Sequence, residues 1–422
     1  MAVKALKFGS VNKSLTAFTS RWLAKNSRSL VALYKDLHAH PELSQHEKRT
    51  AGIVADRFRR TGLKVAERIG GHGVVGVLAN GRGPVIMIRG DMDALPITEE
   101  TRLPYASRVP GAMHACGHDV HTSALTAVAS IFAAAKSAWR GTILFIAQPA
   151  EEVTCGADAM IADGLFKRFP RPAAVLALHV ASQLHSAQLG YTPGWAAANV
   201  DSVNVTMLGR GGHGASPHEC QDPIVAAAYF ITALQTIVTR RIDPTQPSVI
   251  TVGSIHAGTK HNIISDRAEM LLTVRTYSAD VRNKVLASIR SVAADAARIA
   301  GLTKHPIVKT NVEATDAVYN DPDLARHAAS IFASIVGPKN VVVEPPTMGG
   351  EDFSAYVTAL GVPGLIYSVG SVSRKAVLSA RGADRSPLPP LHNARYFPIP
   401  DPTLKLSVRS MTTLAGSLLS RP

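Results

Sequence analysis

Apolar residues recur along the chain at two spacings, and their alternation predicts the order of helices and strands. Helical spacing is found over 44–61, and it ends at Gly62, a residue type that commonly stops a helix. An alanine-rich helix is predicted over about 119–137. Short β-branched runs, which predict strands, lie at 73–78, 84–88, 141–147 and 173–178. Continuous apolar strands that alternate with helices predict an α/β domain whose mostly parallel sheet is covered on both faces.

A different order of elements is predicted for the middle of the chain. Between about 201 and 312 the pattern is strand, helix, strand, strand, helix, strand, which is the βαββαβ arrangement of a ferredoxin-like domain. Helices predicted over 321–336 and 402–419 then resume the α/β alternation. The sequence therefore predicts three parts: a basic leader at 1–29, one domain formed by 30–198 and 313–422, and an inserted domain at 199–312.

Composition excludes several classes of protein. The chain has 422 residues, of which 46% are hydrophobic and 18% charged, whereas disordered chains have low hydrophobicity. The best apolar run, 125–135, is shorter than the ~18 residues that a membrane span needs. Three cysteines are too few for a disulfide framework. We therefore expect a soluble, cytoplasmic protein of two or three domains without a membrane partner.

The formal net charge of +14 raises the question of nucleic-acid binding. Basic residues are interleaved with acidic ones except over 1–35, which contain no Asp or Glu, so we expect no nucleic-acid partner. That stretch has no continuous apolar segment of the kind found in secretory signals. A solvated basic leader and an organellar transit peptide are the two interpretations left open.

Acidic residues or a histidine follow three of the predicted strands. Asp93 follows the strand at 84–88, Glu151 and Glu152 follow the strand at 141–147, and His179 follows the strand at 173–178. Ligands bind at the carboxyl ends of strands in open α/β sheets, so these side chains predict one shared site. Adjacent residues on an extended segment point to opposite sides. One of the two glutamates can therefore ligate a metal while the other addresses a bound water; the alternative is a solvated acidic turn.

The segment 113–121 adds a thiol and an imidazole. Cys116 and His118 alternate in sequence, so an extended segment can turn both toward one ion, and this pair suits a borderline divalent ion such as zinc. The alternative is a buried cysteine beside ordinary loop histidines. Two later segments also present histidines: a glycine-rich loop at 209–218 carries His213, and His392 follows two prolines.

Several motifs together resemble a known family. They are His38-Ala-His-Pro-Glu-Leu43, Arg89-Gly-Asp-Met-Asp-Ala-Leu-Pro-Ile97, Met113-His-Ala-Cys-Gly-His-Asp119, Pro149-Ala-Glu-Glu152, Gly211-Gly-His-Gly214, Met348-Gly-Gly-Glu-Asp-Phe353 and Leu391-His-Asn393. Over about residues 30–420 the chain resembles the amidohydrolases of the M20 metallopeptidase family. The branch is that of hippurate hydrolases, N-acyl-amino-acid amidohydrolases and plant auxin-conjugate hydrolases.

The resemblance implies a fold and a set of roles. It implies a phosphorylase/hydrolase-like mixed-sheet catalytic domain that binds two divalent ions (zinc, manganese, cobalt or nickel), and a ferredoxin-like lid that also forms a homodimer. The metal ligands it implies are Cys116, His118, Glu152, His179 and His392, with Cys116 as the bridge. It further implies Glu151 as general base, Asp93 as the acid that orients a ligand, His213 as the lid histidine that stabilises the oxyanion in the partner's site, and Asn262 and Arg275 as clamps for the substrate carboxylate.

The implied reaction is metal-assisted hydrolysis of the amide bond of a small N-acyl amino acid, hippurate-like or N-acetylated. Alternatives are a dipeptidase or N-acetyl-diamino-acid deacetylase of the same family, or a catalytically inactive binding protein. The segment 153–155 departs from the glycine-rich sequence usual in the family, which leaves the substrate preference open.

Overall fold

The computed structural model describes residues 8–310, 314–381 and 387–421. The chain divides into two compact units. Unit 1 comprises Met1–Gly194, Tyr319–Pro345 and Asp352–Pro422, and unit 2 comprises Trp195–Val318 and Pro346–Glu351. Unit 2 is thus inserted into unit 1 along the sequence, and the range 199–312 of the predicted inserted domain falls within it.

Unit 1 contains an eight-stranded sheet and most of the helices. Its helices are α1 (Lys13–Ala39), α2 (Lys48–Arg60), α3 (His118–Ala134), α4 (Gly156–Ala162), α5 (Leu165–Arg168), α8 (Pro322–Val336), α9 (Phe353–Leu360), α10 (Arg374–Arg381) and α11 (Pro400–Leu418). Its strands are β1 (Lys64–Ile69), β2 (Gly73–Asn80), β3 (Val85–Asp91), β4 (Gly141–Gln148), β5 (Ala174–His185), β6 (Leu189–Tyr191), β16 (Val341–Val343) and β17 (Gly364–Val372).

The sheet of unit 1 is mixed, with a parallel centre. Its strand order is β1-β2-β4-β3-β5-β17-β6-β16. Strands β4, β3, β5 and β17 run parallel to one another, whereas β1, β2 and β6 pair antiparallel with a neighbour. The mixed α/β sheet agrees with the predicted fold class. Because β3, β4 and β5 are parallel neighbours, the segments that follow β3 and β4 leave the sheet at the same edge.

The strands of unit 1 differ from the sequence prediction in extent and in number. Strand β5 continues through His179 to His185, because β17 pairs with it from Gly364 onward and passes a register shift near its end. His179 therefore lies within a strand rather than after one. Strands β1, β6, β16 and β17 were not predicted; in β1 the sequence is largely polar and only Ile69 is buried.

Helix α1 begins inside the segment predicted as a leader. Its side chains Leu15, Leu23 and Leu30 lie in the hydrophobic core of unit 1. Asn12 caps the helix by accepting from the backbone N–H of Leu15, and its Nδ2 donates to the carbonyl of Ala138 at 2.8 Å. The range 1–29 therefore overlaps a packed amphipathic helix whose lysines and arginines are exposed and whose leucines are buried.

Unit 2 has its own sheet, helices and core. Its elements are β8 (Asn199–Leu208), β9 (Gly212–His213), α6 (Pro223–Thr236), β10 (Ser248–Ala257), β11 (Ile263–Ile264), β12 (Arg267–Thr276), α7 (Ala279–Ile299), β13 (Ile307–Lys309) and β14 (Ala314–Thr315). Strands β7 (Gly194–Ala197) and β15 (Val318–Asn320) lie where the chain passes between the units. The main sheet has the order β10-β12-β8-β13, with β14 also paired to β8. Alternate residues of β8 and β12 are buried in a core with α6 and α7.

One described segment, Pro223–Arg241, is long and apolar enough to cross a membrane by length and composition alone. One such segment is weak evidence for a span, because core helices of soluble proteins meet the same criteria. A third of its most apolar window (33%) is buried inside the structure.

Candidate metal centre and active site

Unit 1 brings together the side chains that the sequence placed at strand ends. Asp93 follows β3, Glu151 and Glu152 follow β4, and His179 lies in β5. Asp93 is fully buried and Glu151 is 7% exposed. The backbone N–H of Glu152 donates to Oδ2 of Asp93 at 3.0 Å, which ties the segments after β3 and β4 to each other.

Cys116 and His118 reach the same place through a glycine that joins a loop to α3. Gly117 has φ 83°, in the left-handed region, and a Cβ added to it would lie 2.4 Å from Cγ2 of Val180. Both the backbone conformation and the close approach of β5 require glycine there. This turn lets Cys116, before the helix, and His118, its first residue, face one point.

Five side chains form two groups that share Cys116. The first group is Cys116, His118 and His179, and the second is Cys116, Glu152 and His392; within each group the candidate ligand atoms lie within 4.8 Å of one another. Sγ of Cys116 lies 3.4 Å from Nε2 of His179 and 3.3 Å from Nε2 of His392. These are the five residues that the family resemblance implied as ligands.

His392 comes from a loop distant in sequence. Its backbone N–H donates to the carbonyl of Ala115 at 2.9 Å, and its φ of 64° places it in the left-handed region. Nε2 of His392 lies 3.4 Å from Oε2 of Glu152, and its side chain is 54% exposed. The second group is therefore more open to solvent than the first.

Hydrogen bonds fix which ring nitrogens face the cluster. Nδ1 of His118 lies 3.1 Å from Oδ1 of Asp93, whose pKa is lowered despite burial because His118 and Ser44 donate to it. Nδ1 of His179 donates to the carbonyl of Val180 at 2.8 Å. In both rings Nε2 is thus the nitrogen that faces the other ligands, as is usual for metal-binding histidines.

His121 lies beside the cluster, but both of its ring nitrogens make hydrogen bonds to other groups. Its Nε2 accepts from the backbone N–H of Val180 at 2.9 Å, so Nδ1 is the protonated nitrogen, and it donates to Asp91 at 2.6 Å. Since both nitrogens have partners, His121 has no lone pair left for a metal.

Two atoms of the cluster lack the hydrogen bonds that buried polar atoms normally make. Nε2 of His118 and Oε1 of Glu152 are buried, 3.8 Å apart, and have no hydrogen-bond partner among the described residues. Buried polar atoms without partners are uncommon, and bound metal ions would satisfy them. A thiolate, imidazoles and carboxylates, with a further glutamate nearby, are typical of a metal-dependent hydrolase.

Burial and neighbouring charges shift the pKa values of the cluster. Burial raises the pKa of the Cys116 thiol well above its ordinary value, and the Glu152 carboxylate adds to this rise. Burial lowers the pKa of His118, but Asp91 and other acidic neighbours outweigh it and hold that pKa well above its ordinary value. The surroundings of the cluster therefore favour positive charge.

A buried network beneath the cluster was not predicted from the sequence. Arg89, 2% exposed, pairs with Asp91, donates from Nε to Gln148 at 2.9 Å and from a terminal nitrogen to Asp352 at 3.0 Å. Gln148 also donates to both oxygens of Asp352, at 2.7 and 2.8 Å. The signal available in the sequence was a cation directly after an apolar strand, which requires a buried acid as partner.

The three remaining predicted residues lie in unit 2. His213 and Asn262 line one open depression together with Gly211 and Gly212. The backbone N–H of Ala215 donates to Nδ1 of His213 at 3.0 Å, so the neutral ring carries its proton on Nε2 and can donate from there. Arg275, in β12, is partly buried, donates from Nε to Thr273 at 3.0 Å, and has no ion-pair partner among the described residues.

Comparison with known proteins identifies the relatives of this chain. A family model described as Peptidase family M20/M25/M40 matches residues 87–380. The chain is 35% identical over 350 residues to thermostable carboxypeptidase 1 of Saccharolobus solfataricus (82% of this chain, 86% of the relative). It is 37% identical over 322 residues to the hippurate hydrolase of Campylobacter jejuni (76% of this chain, 82% of the relative). A solved Bacillus subtilis structure, described as a dinuclear metal binding peptidase from the M20 family, is 29% identical with a TM-score of 0.77 and covers 96% of this chain and 99% of that chain.

The family model covers more than half of the chain, and the chain belongs to Peptidase family M20/M25/M40. The resemblance drawn from the motifs is confirmed, and the protein is a hydrolase.

Proposed function

We propose that this protein is a metal-dependent amidohydrolase that cleaves N-acyl amino acids into a carboxylic acid and a free amino acid. The observation that carries the proposal is the pair of ligand groups joined at Cys116. The relatives named a hippurate hydrolase and a carboxypeptidase support the substrate class, because both names refer to an amide bond next to a carboxylate-bearing amino acid.

The two groups suit two divalent ions. Cys116, His118 and His179 would hold one ion, Cys116, Glu152 and His392 the other, and the orphaned atoms of His118 and Glu152 support this. The mixed sulfur, nitrogen and oxygen donors are compatible with zinc, manganese, cobalt or nickel. When bound, the ions lower the pKa of a coordinated water and polarise the substrate carbonyl.

Glu151 is the proposed general base. It is nearly buried, and its Oε2 lies 3.9 Å from Nε2 of His118, next to the proposed ligands. Its carboxylate takes the proton of the attacking water and returns it to the nitrogen of the leaving amine. Asp93 does not touch the substrate in this proposal; it orients His118 through Nδ1.

Unit 2 is the proposed lid, and the strand order β10-β12-β8-β13 with two helices supports a ferredoxin-like fold for it. His213 would donate from Nε2 to the developing oxyanion in the site of a second copy. Asn262 and Arg275 would bind the free carboxylate of the substrate, and the missing ion pair of Arg275 supports this role.

A homodimer through unit 2 is part of the proposal. The exposed residues of α6 include Ile224, Val225 and Tyr229, which are 40%, 45% and 48% exposed. Strand β10 is at an edge of its sheet, where it can pair with a second copy. We expect a dimer in light scattering and a monomer after Tyr229→Asp. We further predict that the protein is cytoplasmic and binds neither nucleic acid nor membranes. The three free cysteines support a reducing compartment.

The test of the function is hydrolysis of hippurate and N-acetyl amino acids by the metal-loaded protein. Glu151→Gln should lower kcat by about 100-fold or more with unchanged metal content, because the proton acceptor is lost. Glu269→Gln, an exposed glutamate in β12, is the matched control and should keep full activity. Near-normal turnover by Glu151→Gln would exclude its role. Activity on dipeptides or N-acetyl-diamino acids alone would favour the alternative family activities, and no chelator-sensitive hydrolysis would favour a binding protein.

A further inference from the structure

The loop between α1 and α2 contacts the segment that carries Asp93 and the segment that carries Glu151. The Ser44 hydroxyl donates to Oδ2 of Asp93 at 2.7 Å. The backbone N–H of Ala94 donates to the carbonyl of Glu42 at 2.8 Å. The same loop ends at Glu47, the residue before α2.

Glu47 is fully buried and is directed at the backbone before Glu151. Its Oε1 accepts from the backbone N–H of Ala150 and from that of Gln45, both at 2.8 Å. Its Oε2 is buried without a hydrogen-bond partner among the described residues. Burying a carboxyl is costly unless hydrogen bonds compensate for the lost hydration, and this one accepts from the N–H groups of Ala150 and Gln45.

Ala150 holds an unusual backbone conformation. Its φ is 53°, in the left-handed region that residues other than glycine rarely adopt. Its carbonyl accepts from the N–H groups of Cys155 and Gly156 at 3.3 and 3.1 Å. Ala150 is therefore the first residue of the hydrogen-bonded turn that carries both glutamates. A rotation about the backbone of Ala150 would change the direction of the Glu151 side chain.

We propose that Glu47 is a positioning residue for Glu151: by accepting from the N–H of Ala150, it holds the left-handed turn that aims the general base at the reacting water. This inference rests on the proposed function of Glu151. Burial raises the pKa of Glu47 to about 7, although the N–H donors oppose the rise, so a neutral amide is a close substitute near neutral pH.

Three variants separate positioning from stability. Glu47→Gln keeps an acceptor for Ala150, and Glu47→Met removes it at similar volume. Glu42→Met is the matched control: Glu42 is in the same loop and accepts from the N–H groups of Arg49 and Thr50 at 2.8 and 2.7 Å, but it does not bond the turn at 150–156. Replacement of either glutamate by methionine should lower Tm, because each replacement leaves two backbone N–H groups without their acceptor.

The first measurement is hydrogen–deuterium exchange of the Ala150 amide by mass spectrometry with site-resolving fragmentation. We expect Glu47→Met to speed this exchange by about tenfold, because one hydrogen bond is lost, and Glu47→Gln and Glu42→Met to leave it unchanged. Unchanged exchange in Glu47→Met would overturn the proposed contact, and this result does not depend on any activity.

The second measurement is the split between kcat and KM. In Glu47→Met we expect kcat to fall about 100-fold with KM and metal content unchanged, because the base is misaligned rather than the substrate unbound, and we expect Glu47→Gln to restore kcat. Equal kcat in Glu47→Met and Glu42→Met would reduce Glu47 to a structural role and overturn the proposal. If Glu47→Met does not fold, Ala150→Val, which disfavours the left-handed turn, tests whether that turn aims Glu151, with the same expected fall in kcat at unchanged KM and metal content. If the wild-type protein hydrolyses no N-acyl amino acid, the proposed function fails, and the exchange data still decide the contact.

Discussion

His38 and Asp119 form a buried hydrogen bond of 2.7 Å that joins the end of α1 to the first turn of α3. The other ring nitrogen of His38 lies 3.2 Å from Glu99. The imidazole is therefore held between two carboxylates. One of them, Asp119, is the residue that follows the proposed ligand His118 in the sequence.

This bond predicts a loss of stability at alkaline pH. Burial lowers the pKa of His38, but the hydrogen bonds that its ring donates to Asp119 and Glu99 outweigh it and raise the pKa to about 9. A pKa above the unfolded value of ~6.5 means that the stabilisation is fully present below pH ~6.5 and is lost as the pH rises through 9, an effect of roughly 3 kcal/mol. We expect Tm to fall between pH 7 and 10 in the wild type and to be lower and flatter in His38→Gln. His40→Gln, at a half-buried histidine at the end of α1, should follow the wild type; a wild-type slope in His38→Gln would contradict the assignment.

Cys116 is predicted to control the metal content of both groups. Cys116→Ala should reduce the bound metal per chain, because it removes the one ligand that both groups contain. Inductively coupled plasma mass spectrometry after dialysis measures the number of metal ions bound per chain. Cys220→Ala, at a cysteine in unit 2, is the control and should keep the wild-type content. Two ions per chain in Cys116→Ala would exclude the bridge.

Asp93 is predicted to act on the metal through His118. Asp93→Asn should weaken metal binding by about 10- to 100-fold, because the ring loses the carboxylate that fixes its Nδ1 proton. Competition with a fluorescent chelator measures the affinity. Asp56→Asn, exposed on α2, should bind metal normally. Equal affinities in the two variants would mean that Asp93 has no orienting role.

The N-terminal helix is predicted to be part of the stable fold. Leu23 is 4% exposed, so Leu23→Ala should destabilise the protein by about 2–5 kcal/mol through lost burial and a cavity. Lys25→Ala, two residues later and exposed, should change stability by less than about 0.5 kcal/mol. Thermal unfolding measures both. Equal Tm values would show that this segment is a detachable leader, as a transit peptide would be.

Periodicity predicted the elements whose burial is regular. The strands before Asp93 and Glu151 are apolar on both faces, and the middle of the chain alternates at strand spacing, so their positions agree with β3, β4, β8 and β12 within a few residues. The site segments were also predictable, because chemistry-bearing residues directly follow apolar strands.

Other features could not be predicted because they depend on partners distant in sequence. The segment 1–35 was interpreted as a leader because it has no acidic residues. Its leucines are buried because α3 and α11 pack against α1, which the local sequence does not indicate. The role of Arg89 depends on Asp352, which is 263 residues away. Glu47 gave no signal at all, since its partner is a backbone N–H 103 residues along the chain.

Under the proposed assignment, the sulfur of Cys116 makes the two ion sites chemically inseparable. Alkylation or oxidation of that single atom would dismantle both at once, so damaged molecules would lose all activity rather than half of it. In a sample exposed to an oxidant, the remaining activity would then be proportional to the fraction of molecules whose Cys116 is intact. A reductant would restore activity only to molecules in which that sulfur is in a reversible oxidation state.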